Sequence, residues 1–145
     1  MGIIHKFNKV DFQQLDDYLS PIIFVEGHNA VQNKLEEFSV LSLNRELSER
    51  LLNYKPEKRK LFVEDEIVKL YNRKEGKVLI KDIEILFDPE FSMDIIRLFI
   101  LLNRKRKTAV LWPGKYRNGK LIFSEMGYKD YHAYDITKYD ITCII

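Results

Sequence analysis

Four residues have the types and the order that phosphate chemistry needs: Gly27, Lys34, Asp82 and Glu84. Gly27 follows an apolar run and precedes a helix-like segment, within the stretch from Ile22 to Phe38. A nucleotide-binding loop uses glycines to aim backbone amides at phosphates, a lysine to meet the β- and γ-phosphates, and a hydroxyl to hold magnesium. These four residues are therefore the candidates for a nucleotide site.

The spacing departs from the pattern G-x-x-x-x-G-K-[ST] in both registers that can be tried. If Gly27 is the first glycine, Lys34 comes one residue late and Leu35 stands near the hydroxyl position. If the loop is counted from the end of the apolar run, its four functional positions hold Glu26, Val31, Gln32 and Asn33. A β-branched residue is disfavoured at positive φ, and a carboxylate repels phosphate. An ordinary turn leading to a helix capped by Asn29 is therefore the competing interpretation.

Asp82 and Glu84 lie in a third apolar run, Lys77 to Phe87, where a partner acid for magnesium is expected. Residues two apart on a strand point to the same face, so the strand prediction puts both carboxylates together. Lys81 precedes them and already supplies a positive charge. The competing interpretation is a strand end that carries ordinary charged residues.

Apolar runs alternate with amphipathic segments along most of the chain. The predicted strands are Ile22 to Val25, Ser39 to Asn44, Lys77 to Phe87 and Thr108 to Trp112. The predicted helices include Asp11 to Ser20 and Phe62 to Lys74, with a polar loop, YKPEKRK, before the second of these. This alternation predicts an α/β fold with a parallel sheet flanked by helices, in one domain over residues 1–145. Asn118-Gly119 predicts a C-terminal β-hairpin extension, and Trp112 before Pro-Gly is predicted to be largely buried or to hold a contact surface at the end of its strand.

Composition narrows the class of protein. The chain has 145 residues, of which 46% are hydrophobic and 32% charged, with a net charge of +2. A single cysteine, Cys143, excludes an intrachain disulfide and predicts a buried thiol, and the three histidines show no zinc spacing. No signal-peptide pattern or membrane-length apolar run is present, so we expect a cytoplasmic protein without a membrane partner and without a metal or other cofactor.

A cluster of four successive cations follows the last predicted helix: Arg104, Lys105, Arg106 and Lys107. Such a cluster can neutralise DNA phosphates without reading sequence. Lys115, Arg117 and Lys120 would extend it, and Tyr116 is available for base stacking. The competing interpretation is a solvated helix end, where cations suit the helix dipole.

Several stretches together resemble one bacterial family: LNRELSERLL, IEILFDPEF, NRKRKTAVLWPG and GKLIFSEMGYKDYHAYDI. They are similar to BrxF, a small P-loop-containing protein of type 3 BREX phage-defence systems. The similarity runs from about Ile22 to Ile136 and is carried best by Ile83 to Pro89 and Trp112 to Gly114.

The resemblance implies a P-loop NTPase-like fold with a phosphate loop on Glu26 to Asn33 and a strand acid at Lys81, beside Asp82. The glycine and lysine-hydroxyl pattern of the loop is missing here. The resemblance therefore favours a non-catalytic binding or assembly subunit. Its partners would be other phage-defence proteins, with sequence-independent DNA contact and homo-oligomerisation as further expectations. The alternative is a divergent enzyme that binds or hydrolyses a nucleoside triphosphate with magnesium.

Overall fold

The fold is built on a six-stranded parallel sheet. The structure is a computed structural model and describes the whole chain, residues 1 to 145. The strands of this sheet lie in the order β1-β9-β2-β5-β4-β3, and every neighbouring pair is parallel. The bounds are β1 (Ile3–His5), β2 (Ile22–Phe24), β3 (Ser39–Ser42), β4 (Val78–Lys81), β5 (Thr108–Leu111) and β9 (Thr142–Ile144). The predicted α/β class with a parallel sheet is confirmed.

Four α-helices cover the two faces of this sheet. They are α1 (His28–Lys34), α2 (Leu43–Leu51), α3 (Pro56–Asn72) and α4 (Ile95–Asn103). Val31 and Leu35 of the α1 segment pack with Ile22 and Phe24 on one face. Ile23, which points to the other face, belongs to the core formed with α2, α3 and α4. Burial on both faces explains why the strands are continuous apolar runs and not alternating ones.

A second sheet of three antiparallel strands packs at one end of the first. It contains β6 (Lys115–Arg117), β7 (Lys120–Phe123) and β8 (His132–Asp135). Asn118 and Gly119 both have positive φ in the β6–β7 turn, as a two-residue type I′ hairpin requires. The predicted C-terminal hairpin is confirmed.

Trp112 joins the two sheets, as its place before Pro-Gly predicted. Its side chain is fully buried, and its indole Nε1 donates to the carbonyl of Ile122, 3.1 Å away. A Cβ on Gly114 would lie 1.8 Å from that carbonyl oxygen, so only glycine allows the approach. Phe87 and Tyr134 pack edge-on against the indole ring. The Trp-Pro-Gly motif is therefore the junction between the sheets.

Cys143 lies in β9, between strands β1 and β2 in the parallel sheet. The thiol is free and buried, and burial raises its pKa to about 12. The prediction of a buried structural thiol is confirmed.

Several predicted element bounds were wrong. Asp11 to Ser20 forms only a 3₁₀ turn, Phe12–Asp17, and Leu19, expected on its apolar face, is 93% exposed. The YKPEKRK segment is not a loop, because α3 begins at Pro56, where a proline loses no helical hydrogen bond. The cap of α1 is Gly27 and not Asn29.

The third predicted strand, Lys77 to Phe87, is also shorter than expected. Strand β4 ends at Lys81, because Asp82 takes a left-handed backbone conformation with φ of 52°. A 3₁₀ turn, Glu84–Phe87, follows. Asp82 and Glu84 therefore lie beyond the end of β4. The prediction that they share one face of a strand was wrong.

Candidate functional site

The carboxyl end of the parallel sheet contains a crevice beside β2 and β5. The connection from β2 runs through α1 on one face, whereas the connection into β5 runs through α4 on the other. Neighbouring strands whose connections diverge in this way leave a crevice at their carboxyl ends, where α/β proteins bind ligands. The cavity there is about 250 Å³ and is lined by His28, Asn29, Gln32, Lys81, Asp82, Glu84, Leu111 and Pro113. It is smaller than the ~300–1,000 Å³ of typical ligand pockets.

The loop from β2 to α1 is short. Only Val25, Glu26 and Gly27 separate Phe24 from the start of the helix at His28. The imidazole Nε2 of His28 donates to the carbonyl of Phe24, 3.1 Å away, and closes the loop from inside. In the nucleotide-binding pattern G-x-x-x-x-G-K-[ST], five residues separate the first glycine from the lysine. Three residues do not supply that wrap of backbone amides.

Gly27 has the left-handed backbone conformation that glycine permits, but the ring of Phe7 occupies the space where a side chain would lie. Its φ is 65°, in the left-handed region. A Cβ at this position would lie 2.6 Å from the ring of Phe7. The glycine therefore serves a tight turn beneath an aromatic ring that comes from the N-terminal segment.

Asp82 and Glu84 both reach the crevice, and both carboxylates accept hydrogen bonds from residues at the end of β3. The hydroxyl of Ser42 donates to Asp82 Oδ2 at 2.5 Å, and the amide of Asn44 donates to Glu84 Oε2 at 2.6 Å. Asn44 also accepts from the backbone N–H of Ile85 at 2.7 Å. These acids tie β4 to the start of α2, which is a structural use of the groups that a metal would need.

Lys81 stands where the resemblance places a strand acid. Its Nζ lies 3.4 Å from Oε1 of Gln32 on α1, so the two side chains bridge β4 and α1 across the crevice. No group of three or more His, Cys, Asp and Glu side chains is arranged to hold a metal ion. The crevice thus has a lysine at the position where the resemblance implies a carboxylate that would bind magnesium.

Lys34 lies away from the other three candidates. It is the seventh and last residue of α1, roughly 9 Å along the helix axis from His28. Its Nζ lies 5.4 Å from the centre of the Phe12 ring, and it lines a separate cavity of about 500 Å³ with Phe38 and Lys77. Those two residues precede β3 and β4, so this cavity is at the amino end of the sheet. The fold brings Gly27, Asp82 and Glu84 to one end and Lys34 to the other.

Ser42 and Asn44 are functional-site residues that no sequence motif singles out. Both follow the apolar core of the second predicted strand, and the carboxyl ends of parallel strands meet at one edge of a sheet. The sequence shows these polar residues at the end of a predicted strand, but pairing them with the acids also requires that β3 lie beside β4, which the sequence pattern does not give.

The four cations after α4 do not form one surface. The guanidinium of Arg106 donates to the carbonyls of Tyr71 and Lys74 and stacks 4.7 Å from the centre of the Tyr71 ring. Lys107 donates to the carbonyls of Tyr18 and Ser20, and burial lowers the pKa of its amine. Only Arg104 and Lys105 are exposed. The expectation that all four emerge together is corrected, and DNA contact by this segment stays a prediction.

Comparison with known proteins gives no relative: no protein-family model, no curated protein and no solved structure matches the chain. The resemblance to BrxF thus rests on the sequence motifs alone. One further finding concerns the helices: none has the length and apolarity needed to cross a membrane.

Proposed function

We propose that the chain is a P-loop-like, non-catalytic subunit of a phage-defence complex that works through contacts with other proteins of the system. The observation that supports this proposal most is the crevice at the carboxyl end of the sheet. The loop beside it has three residues, its glycine lies under Phe7, and its two acids accept hydrogen bonds from Ser42 and Asn44.

The positions of one strand-turn-helix unit and of one acid-bearing strand end support a P-loop-like fold. The strand-turn-helix unit β2–α1 and the acid-bearing end of β4 reach the same crevice, with only β5 between the two strands. These are the places where the resemblance puts the phosphate loop and its partner acid. In this proposal the chain has the architecture of a P-loop protein but not the residues that would do its chemistry.

The alternative is an enzyme that uses a displaced site made of Lys34, Asp82 and Glu84. It requires the lysine to approach the acids, yet Lys34 ends α1 and lies over Phe12. The nearest lysine to the acids is Lys81, which contacts Gln32. An enzyme of this kind would need a rearrangement of α1, and we therefore prefer the assembly role.

Apolar side chains are exposed where α2 turns into α3. Leu52 and Leu61 are 73% and 64% exposed, and Phe62 stacks on Tyr54 beside them with ring centres 4.8 Å apart. Exposed apolar residues that stand close together are typical of protein contact sites. This turn is the first surface on which to test an assembly role.

The experiment is co-expression of the chain with the other proteins of a type 3 BREX system, followed by purification and mass measurement. We expect a defined complex that survives Asp82→Asn and Lys81→Ala, because the crevice takes no part in assembly. A double variant, Leu52→Ser with Leu61→Ser, should weaken the complex, whereas Leu19→Ser, which changes a still more exposed leucine elsewhere in the sequence, should not.

A chain that stays alone with every one of these proteins would contradict the proposal. The same measurement on the isolated chain reports homo-oligomers directly. Loss of assembly in the crevice variants alone would instead favour the enzyme alternative.

A further inference from the structure

Three cations of the small sheet lie on one face, with no partner. Strand register puts Lys115 opposite Ile122 and Arg117 opposite Lys120. Leu121, in between, is fully buried and points to the core. Since successive strand residues alternate in direction, Lys115, Arg117 and Lys120 share the outer face.

Arg117 and Lys120 form a directly opposed pair of like charges across the β6–β7 hairpin. Such pairs destabilise a sheet when no counter-charge is bound. None of the three cations takes part in an ion pair or side-chain hydrogen bond with the rest of the chain. This differs from Arg106 and Lys107, whose charged groups are held by backbone carbonyls.

Three acids stand near these cations: Asp135, and Glu26 and Glu125 in the cavities beside Lys115. Asp135 lies opposite Lys120 on β8, and its carboxylate accepts from the backbone N–H and the hydroxyl of Thr137, at 3.0 and 2.7 Å. Those hydrogen bonds hold its pKa below the usual range, so it stays charged near neutral pH. With Lys6, which lines one of the cavities, four cations stand against these three acids, and the face keeps a small net positive charge.

Two cavities adjoin Lys115, and each contains an aromatic side chain. One, of about 500 Å³, is lined by Lys6, Phe7 and Tyr116, and also by Glu26. The other, of about 380 Å³, is lined by Arg117, Met126, Tyr131 and the acid Glu125. Strand β6 is the edge of its sheet, and its residues line both cavities.

We propose that this face binds single-stranded nucleic acid, with Lys115, Arg117 and Lys120 on successive phosphates and a base against Tyr131 in the smaller cavity. A positive groove bordered by aromatic rings is the usual platform for unpaired strands, because every base can stack. A duplex does not offer its bases to such cavities. Backbone contacts carry no sequence information, so binding should depend little on sequence. The face lies outside the crevice, and the proposal does not depend on the assembly role.

The test is fluorescence anisotropy of the purified chain with a labelled 20-nucleotide oligothymidylate in 50 mM salt. The variant Lys115→Ala/Arg117→Ala/Lys120→Ala should weaken binding at least tenfold. A control with the same loss of charge on α3 and at its C-cap, Lys58→Ala/Lys60→Ala/Arg73→Ala, removes three exposed cations outside this face and should stay within twofold of the parent. The slope of log affinity against log salt should be about −2 for three phosphates on a single strand.

Tyr131→Ala is a second test variant, which removes a stacking ring and leaves the net charge unchanged. Loss of one stacking contact should weaken oligothymidylate binding by about fivefold or more while the salt slope is kept. Thermal melts of all variants confirm that they fold.

Three results would overturn the proposal: no binding at 50 mM salt, equal weakening in the charge-matched control, or a duplex of the same length bound as tightly as the single strand.

Discussion

The crevice at the carboxyl end of the parallel sheet and the outer face of the β6–β7 hairpin make an informative contrast. In the crevice, Asp82 and Glu84 accept hydrogen bonds from the chain itself. On the hairpin, Lys115, Arg117 and Lys120 have no such partners, and two of them oppose each other. The groups that look catalytic in sequence are used for structure, and cations that looked secondary are free to bind a ligand.

The basic segment after α4 repeats this contrast within four residues. Arg106 and Lys107 are held by carbonyls of α3 and of the segment before β2, whereas Arg104 and Lys105 are exposed. Charge density along a sequence therefore does not measure free charge at a surface. Whether a cation is free depends on which carbonyls the fold brings within its reach.

The largest effect is expected at Trp112, which joins the two regions. Trp112→Ala removes a fully buried indole and its hydrogen bond to Ile122, and should lower the free energy of unfolding by about 3–5 kcal/mol. Urea denaturation measures this. An unchanged midpoint would mean that the small sheet is not docked through this side chain.

The next effect is expected from Arg106→Ala with Lys107→Ala. This double variant leaves several backbone carbonyls without their charged donors and should lower the free energy of unfolding by roughly 2–3 kcal/mol. The exposed pair, Arg104→Ala with Lys105→Ala, is the matched control and should change it by less than about 0.5 kcal/mol. Equal effects in the two double variants would contradict the distinction between the two bound cations and the two exposed ones.

A smaller effect is expected at Asn44, which serves two partners in the crevice. Asn44→Ala removes the donor to Glu84 and the acceptor of the Ile85 N–H, and should cost about 1–2 kcal/mol. Ser42→Ala, which removes only the donor to Asp82, should cost about half as much. If neither change moves the denaturation midpoint, the two acids are not structural and are available to a ligand.

The smallest effect on stability is expected on the hairpin. Removing Lys115, Arg117 and Lys120 together relieves the opposed like charges, so the free energy of unfolding should stay constant or rise by up to about 0.5 kcal/mol. A thermal melt at low salt shows the sign. Clear destabilisation would indicate that these cations have partners within the fold.

Much of the fold was predictable because buried parallel strands are continuous apolar runs. Ile22 to Phe24 and Thr108 to Leu111 lie where the pattern put them, and Asn118-Gly119 formed the predicted turn. Strand β1 was missed because its three residues are an edge with exposed isoleucines, so no apolar run marks it. The end of β4 was missed because Asp82 adopts a left-handed conformation that no neighbouring residue type in the sequence indicates.

The candidate site was predictable only in part. Asp82 and Glu84 reached the crevice with Gly27, since all three follow central strands at the same edge. Lys34 did not, because a helix of seven residues carries its last residue to the other end of the sheet. Ser42 and Asn44 depend on which strand neighbours β4, and strand order is a property of the tertiary fold.

The central claim is that the crevice does not serve a nucleoside triphosphate. A thermal melt of the purified chain with and without millimolar magnesium-ATP tests it most directly, with Asp82→Asn and Lys34→Ala beside the parent. A ligand at 100 times its Kd adds about 2.7 kcal/mol of stability, which corresponds to a rise of roughly 5–10 °C in Tm. We predict no shift in any of the three proteins. A rise of that size in the parent, lost in either variant, would contradict the claim.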